Sequence, residues 1–390
     1  MDDLQQKMVP PTGHALSHGR DDAGGKPAQS SLTERSRAAG ARGPRPEQQG
    51  VLSAADALVI GRTSGDNGAH SPAEKLARTH PINEPCPAAL PTGFVWHLDR
   101  SCDVGRAMLA ATRRLREEGC ESAPLDSALL LAHTLGVNKA WLYAHPHRHL
   151  TEAEISRFED LVRRRICQEP IAYLIGSRSF YALDIVVNRH VLIPRPETEL
   201  LVEHALDYIR RLTAQGCAPL VADIGTGSGA IATAIAVNAA AARVIAVDIS
   251  DDALAVAAQN IRRYGLDDRV QLVAGNLTDP LPGPVDVIVA NLPYVAAPQL
   301  RALPATVRDF EPLVALDGGA DGLRVFRAFF DGLARVGVAA KLRSGGRIYL
   351  EIGADQGEAV SSLAALALPG AAVHILPDYA GLDRIVVVET

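Results

Sequence analysis

Asn291-Leu292-Pro293-Tyr294 is the stretch of this chain best equipped for chemistry. The carboxamide oxygen of Asn291 and the main-chain carbonyl of Leu292 can each accept one N–H of a planar –NH2 group. Pro293 fixes its own φ and pushes Leu292 towards an extended conformation, so the chain leaves on a stiff path. Tyr294 would pack on the flat face of the same group. The nitrogen of an amide or ring amine is a poor nucleophile, because its lone pair is delocalised. Two acceptors that hold both hydrogens aim that lone pair and stabilise positive charge as a bond forms on nitrogen. A strand end followed by a turn also favours Asn and Pro, so the tetrad has to be weighed with its neighbours.

A second constellation supplies the reaction partner. Asp223-Ile224-Gly225-Thr226-Gly227-Ser228-Gly229 ends an apolar run and precedes a helical pattern. Glycines there let the backbone pass close to a ligand at a helix N-terminus. Asp248 closes the next apolar run, nineteen positions after Gly229, where a carboxylate can take both hydroxyls of a ribose. The dinucleotide fingerprint wants G-x-G-x-x-G. Here Gly225, Gly227 and Gly229 are spaced G-x-G-x-G and Ala230 takes the last place. That tighter loop suits S-adenosylmethionine, which has no pyrophosphate to cradle. A third run ends Gly275-Asn276-Leu277, placed to bond and cover an adenine. Each feature alone can be an ordinary turn; in register with Asn291 they point to one cofactor.

The elements that must position these groups alternate between strand and helix from Leu220 onwards, which predicts a parallel sheet with helices on both faces. Strands are expected at Leu220–Ile224, Val244–Asp248, Val270–Ala274, Val285–Ala290, Arg347–Ile352, Ala372–Leu376 and Arg384–Glu389. Helices are expected near Ala230–Val237, Ala253–Tyr264, Gly322–Leu342 and Gln356–Leu366. Val285–Ala290 is short and β-branched, as a strand covered on both faces should be. Ahead of this sheet, Leu192-Ile193-Pro194-Arg195-Pro196-Glu197-Thr198-Glu199 starts a helix, with Pro196 at its first position and two carboxylates near its positive end. The same block could form a stiff lid over the pocket.

From Val104 to Glu169 the apolar period is helical. Met108, Leu109, Ala111 and Leu115 share a face; helices follow from Asp126, at Trp141-Leu142-Tyr143, and along Ile155, Phe158, Leu161, Val162 and Ile166. His145, His147 and His149 lie in a loop without partners of metal-binding kind, so no metal is expected. Ile171 to Ile193 reads as a hairpin turning at Asn188-Arg189-His190.

Residues 1 to 100 are rich in Gly, Pro, Ala, Ser and His and read as a disordered low-complexity extension, with a short helix over Val51–Ile60. A start assigned too far upstream is the rival explanation. The formal charge of −6 argues against a grip built on phosphate neutralisation, so no direct nucleic-acid partner is expected. Five scattered cysteines without close pairs suit free thiols in a reducing cytoplasm. No apolar run reaches the length of a membrane span.

From Val104 to Thr390 the chain resembles the HemK/PrmC protein-(glutamine-N5) methyltransferases. The matching pieces run in order: Glu169-Pro170-Ile171-Ala172-Tyr173-Leu174, Val191 to Glu199, Asp223–Gly229, Asn291–Tyr294, Glu311-Pro312, Ala315 to Gly319, Asp321-Gly322-Leu323 and Leu350-Glu351-Ile352-Gly353. The resemblance implies a class I S-adenosylmethionine-dependent methyltransferase fold with a Rossmann-like seven-stranded sheet over residues 196–390. It also implies a release-factor-binding helical bundle over 101–170 and a β-hairpin linker over 171–195. The implied substrate is the Gln of the Gly-Gly-Gln tripeptide in class-1 peptide chain release factors, taken by a monomer. Carried over by position, Gly225, Thr226, Gly227, Ser228, Gly229, Asp248, Asn276, Leu277 and Asn291 would bind the cofactor. Asn291, Leu292, Pro293 and Tyr294 would hold the glutamine and carry the catalysis, with Pro196 and Thr198 beside it. Leu292 stands where the family usually has Pro, though only the carbonyl is needed. Leu277 replaces a common aromatic, which weakens stacking on an adenine. The tetrad alone is also similar to that of adenine and cytosine amino-methyltransferases, so methylation of adenine N6 in RNA or DNA is the alternative.

Overall fold

The computed structural model describes residues 96–390. The expected extension and the helix at Val51–Ile60 lie outside the described residues.

Four helices form the first unit: α1 (Val104–Glu117), α2 (Ala123–Leu135), α3 (Lys139–Ala144) and α4 (Glu152–Ile166). Their starts are written in the sequence. Asp103 accepts the Arg106 N–H ahead of α1, and Thr151 with Glu154 closes a capping box on α4. The buried stripe of α1 is Val104, Ala107, Ala111 and Leu115, while Leu109 faces solvent, so the expected face is rotated by part of a turn. Trp96 and Leu98 already pack into this core, which therefore begins ahead of residue 101.

The expected hairpin over Ile171–Ile193 is shorter than its span. Ile171–Ile175 is a single helical turn, α5, ended by Gly176 in the left-handed region (φ 77°). Only Ser177–Phe180 (β1) and Leu183–Val186 (β2) pair. They turn at Tyr181 and Ala182, both with positive φ, although neither is the Gly or Asn such a turn favours. Asn188 to His190 does turn, but after the hairpin. Leu174 is buried in the helical core and Ala172 in the sheet's core, so α5 joins the two.

The remaining elements are α6 (Pro196–Ala214), β3 (Leu220–Ile224), α7 (Ala230–Asn238), β4 (Arg243–Asp248), α8 (Asp251–Arg263), β5 (Val270–Ala274), β6 (Val285–Asn291), the short turns α9 (Ala297–Leu300) and α10 (Ala305–Arg308), α11 (Arg324–Val336), β7 (Leu342–Glu351), α12 (Gly357–Ala367), β8 (Ala372–Pro377) and β9 (Asp383–Glu389). The sheet has seven strands in the order β5-β4-β3-β6-β7-β9-β8. The first five run parallel, but β9 inserts antiparallel between β7 and β8, so the sheet is mixed. Strand positions alternate between two cores. Val287 and Val289 of β6 face α6, α7 and α8, whereas Ile288 and Ala290 face α11 and α12. With β3 on one side and β7 on the other, β6 is central, and its carboxyl end delivers Asn291 to the edge where ligands bind.

Candidate active site

The glycine loop is held from beneath. After β3, Gly225 and Gly227 adopt φ of 72° and 56°, which an L side chain resists. The Gly225 and Thr226 N–H groups both donate to the Val247 carbonyl, at 2.8 and 2.9 Å. Asp223 is fully buried; its Oδ2 accepts the Thr226 hydroxyl at 2.6 Å and the Ala232 N–H at 3.1 Å. Its Oδ1 has no hydrogen-bond partner, and burial pushes the carboxyl up to about 7. Asp248 accepts the Gly227 N–H on Oδ2 at 2.8 Å and the Ser250 N–H on Oδ1 at 2.9 Å. Burial raises this carboxyl too, against those backbone bonds.

One cavity gathers most of the expected residues: Gly225, Thr226, Gly227, Ser228, Asp248, Asn276, Leu277, Asn291, Leu292, Pro293 and Thr198 all line it. Leu277 holds a left-handed backbone (φ 48°), unusual for a bulky side chain and tolerated here against the wall of the cavity. Three expected residues lie outside the lining. Gly229 starts α7 instead, and a Cβ there would come within 3.0 Å of the Ala257 Cβ, so its smallness serves the contact between α7 and α8. Pro196 opens α6 while Pro194 reaches the cavity. Tyr294 lines a separate hollow with Gln299 and Gln356, and its half-buried ring packs against the core.

Asn291 is half-buried, and its Nδ2 donates to the Thr198 hydroxyl oxygen at 3.1 Å. One of the two amide hydrogens is thus spent on Thr198, and among the described residues no hydrogen bond is donated to the carboxamide oxygen. Among the described residues no backbone N–H outside the sheet ladders is donated to the Leu292 carbonyl. Behind Thr198 lies Glu351, at the end of β7 and 1% exposed. Its Oε1 accepts the Tyr294 hydroxyl at 3.4 Å, while Oε2 lacks a partner. Burial pushes Glu351 up to about 7, opposed first by the nearby Thr198 hydroxyl and then by the charge of Arg384.

The Ile-Pro-Arg-Pro block is clamped over this edge. Glu311 accepts the Arg195 guanidinium at 2.6 Å and the Ile193 N–H at 3.2 Å, and burial raises its carboxyl against the pull of Arg195. Asn260 on α8 does the same for the hairpin. Its Oδ1 accepts the Val186 N–H at 2.8 Å, and its Nδ2 donates to the Val186 carbonyl at 3.0 Å and the Ser228 carbonyl at 2.8 Å. Asp223, Asn260, Glu311 and Glu351 were not singled out as site residues from the sequence. Each acts on a residue far along the chain except Asp223, whose only signal is its place ahead of the glycine loop. Of the loop histidines, His145 stacks on Trp141 at 4.3 Å between ring centroids, and His149 Nδ1 lies 3.1 Å from the Ser101 carbonyl.

Two family models match the chain: the PrmC N-terminal domain over residues 106–176 and a methyltransferase domain over residues 221–310. A release factor glutamine methyltransferase of Moorella thermoacetica is 42% identical over 280 residues, 72% of this chain and 95% of the relative. A release factor glutamine methyltransferase of Cereibacter sphaeroides is 41% identical over 280 residues, 72% of this chain and 96% of the relative. Among solved structures, the release factor-specific protein-(glutamine-N5) methyltransferase of Alicyclobacillus acidocaldarius matches with 29% identity and a TM-score of 0.31, covering 50% of this chain and 93% of that one. With its glycine loop, its Asn291 strand end and relatives alike over nearly their whole length, the chain belongs to the release factor glutamine methyltransferases.

Proposed function

We propose that this protein transfers the methyl group of S-adenosylmethionine to the side-chain amide nitrogen of the glutamine in the Gly-Gly-Gln tripeptide of class-1 peptide chain release factors. The observation that carries this reading is the orientation of Asn291, whose amide end is tied to Thr198 and whose oxygen is left for a ligand at the cavity edge.

The residues present fit the cofactor. Gly225 lines the cavity with φ of 72°, a conformation that a side chain resists, so the glycine lets bare backbone face a ligand. Asp248 is placed for ribose hydroxyls, and Leu277 and Ile249 offer apolar walls to an adenine. When bound, S-adenosylmethionine supplies an electrophilic methyl on a sulfonium. The chain's own residues do the rest. Asn291 Oδ1 and the Leu292 carbonyl accept the two amide hydrogens, hold the nitrogen for in-line approach and stabilise its developing charge. A new N–C bond forms as the C–S bond breaks, and the extra proton leaves the methylated amide for water. No strong general base is required.

On this reading the helical unit, placed over residues 101–170, docks the release factor, and residues 171–195 link it to the catalytic unit at 196–390. The enzyme works as a monomer in the cytoplasm; no helix of the described residues is long and apolar enough to cross a membrane. Labelled S-adenosylmethionine offered to purified release factor, to the factor with that Gln replaced, and to bulk RNA tests the reading. Label in the first alone is expected; label in RNA or in the replaced factor would overturn it.

A further inference from the structure

Gln356 starts α12, yet its side chain caps none of that helix's N–H groups. It is 8% exposed, and both ends of its carboxamide are spent elsewhere in the fold. Oε1 accepts the Gly353 N–H at 2.9 Å, just past the end of β7. Nε2 donates to the Tyr294 carbonyl at 3.0 Å, just past the end of β6, and lies 3.5 Å from the Gly322 carbonyl ahead of α11. The side chain therefore spans the exits of two neighbouring strands. Gly322 is packed against this bridge, for a Cβ there would strike both the Tyr294 carbonyl oxygen and Gln356 Nε2. The bridge needs a donor at one end and an acceptor at the other, which a carboxamide has and a carboxylate lacks.

What the bridge holds is the tail of the Asn291–Tyr294 stretch. Asn291 is fixed in the sheet opposite Glu351. Pro293 fixes its own φ and keeps Leu292 extended. With the Tyr294 carbonyl tied as well, the peptide plane between Leu292 and Pro293 has little freedom left, so the Leu292 carbonyl keeps one direction. Val295, one residue on, is bonded to the loop at Leu316 and Gly318, whereas Gln356 ties the stretch to the body of the sheet. We infer that Gln356 is a positioning residue for methyl transfer: bridging Gly353 and Tyr294 from outside the cavity, it aims the Leu292 carbonyl, the second acceptor for the substrate amide. The inference rests on the glutamine-amide reading above.

Gln356→Met keeps the length of the side chain and removes both polar ends. Its single-turnover rate of transfer to the release factor is expected to fall about tenfold, the worth of one lost hydrogen bond. Gln356→Glu separates aim from bulk. Ionised, it sets a charge against the Tyr294 carbonyl; protonated, it can again donate there while accepting from Gly353. Burial raises such a carboxyl, so the Gln356→Glu rate, divided by the wild-type rate at the same pH, should climb about tenfold from about pH 9 down to about pH 6. The same ratio for Gln356→Met should stay flat. Affinity for S-adenosylmethionine, measured by calorimetry at both ends of that range, should stay within about twofold of wild type in both variants, because none of these bonds reaches the glycine loop; this also verifies folding. A Q356M enzyme as fast as wild type, a Q356E ratio that does not change with pH, or an equal fall in cofactor affinity would overturn the inference. Wild type that labels no glutamine would instead remove the reading beneath it.

Discussion

On the proposed function one carboxamide oxygen, that of Asn291, does the recognising, and its worth can be read from kinetics. On that reading Asn291→Ala removes an acceptor that meets positive charge only as the new bond forms. The expected result is a fall of about a hundredfold or more in kcat with cofactor affinity nearly unchanged. Single-turnover transfer beside a binding isotherm measures both, and unaltered turnover would take Asn291 out of the chemistry. Two of the four carboxyls that burial raises give a second residue-scale prediction. Asp223 and Glu351 are raised from 3.8 and 4.5 to about 7, so each binds its proton more tightly folded than unfolded. Their contribution is full below the unfolded values and is lost as pH rises to about 7, so the ligand-free protein should lose stability across that window. Glu154 and Asp321, lowered to about 2, act with the opposite sign only near their unfolded values of 4.5 and 3.8, and above about pH 5.5 they leave this slope alone. Glu351→Gln should flatten it by on the order of 3 kcal/mol or less, read from urea unfolding at about pH 5 and pH 8. The site was legible at this scale where residues adjoin in sequence, as in Asn291–Pro293 and Gly225–Ser228. Glu351 was not, because Tyr294, whose hydroxyl it accepts, lies on another segment and reaches it only once the sheet has formed.

At the scale of elements, the hairpin and the glycine loop share a fastener. Asn260 satisfies three main-chain groups across Val186 and Ser228 while itself buried. Asn260→Ala should therefore cost about 2–3 kcal/mol in stability and also weaken cofactor binding, through the freed Ser228 carbonyl. Thermal unfolding with and without S-adenosylmethionine checks both parts; a loss of stability with intact binding would detach the fastener from the loop. Most strands and helices of the sheet were legible to within a few residues because strand-sized apolar runs alternate with helical periods, but the helix expected over Gly322–Leu342 ends at Val336 before Gly337, and β7 begins at Leu342 and not at Arg347. The hairpin turn was not. Tyr181 and Ala182 take positive φ without Gly or Asn, held by contacts such as the Tyr181 N–H on Glu199, so local turn chemistry gave no sign. Leu109 likewise fitted the helical period, yet lies just off the buried stripe of α1.

Over the whole molecule, β-α alternation announced a doubly covered sheet but could not reveal that β9 enters antiparallel, because strand direction is fixed by pairing with β7 and β8. Among the described residues the lining of the cavity runs from Phe180 to Val325. A chain trimmed to residues 96–390 should accordingly keep turnover within about twofold of the full chain, as the absence of chemistry-bearing patterns before Trp96 also suggests. A large loss would assign the leading residues a part in the reaction. The most direct test of the central claim is tandem mass spectrometry of release factor incubated with S-adenosylmethionine and either wild type or N291A. One added methyl on the Gly-Gly-Gln glutamine, formed by wild type and nearly lost with N291A, is the result this account predicts. A methyl on any other residue, or equal yield from both enzymes, would contradict it.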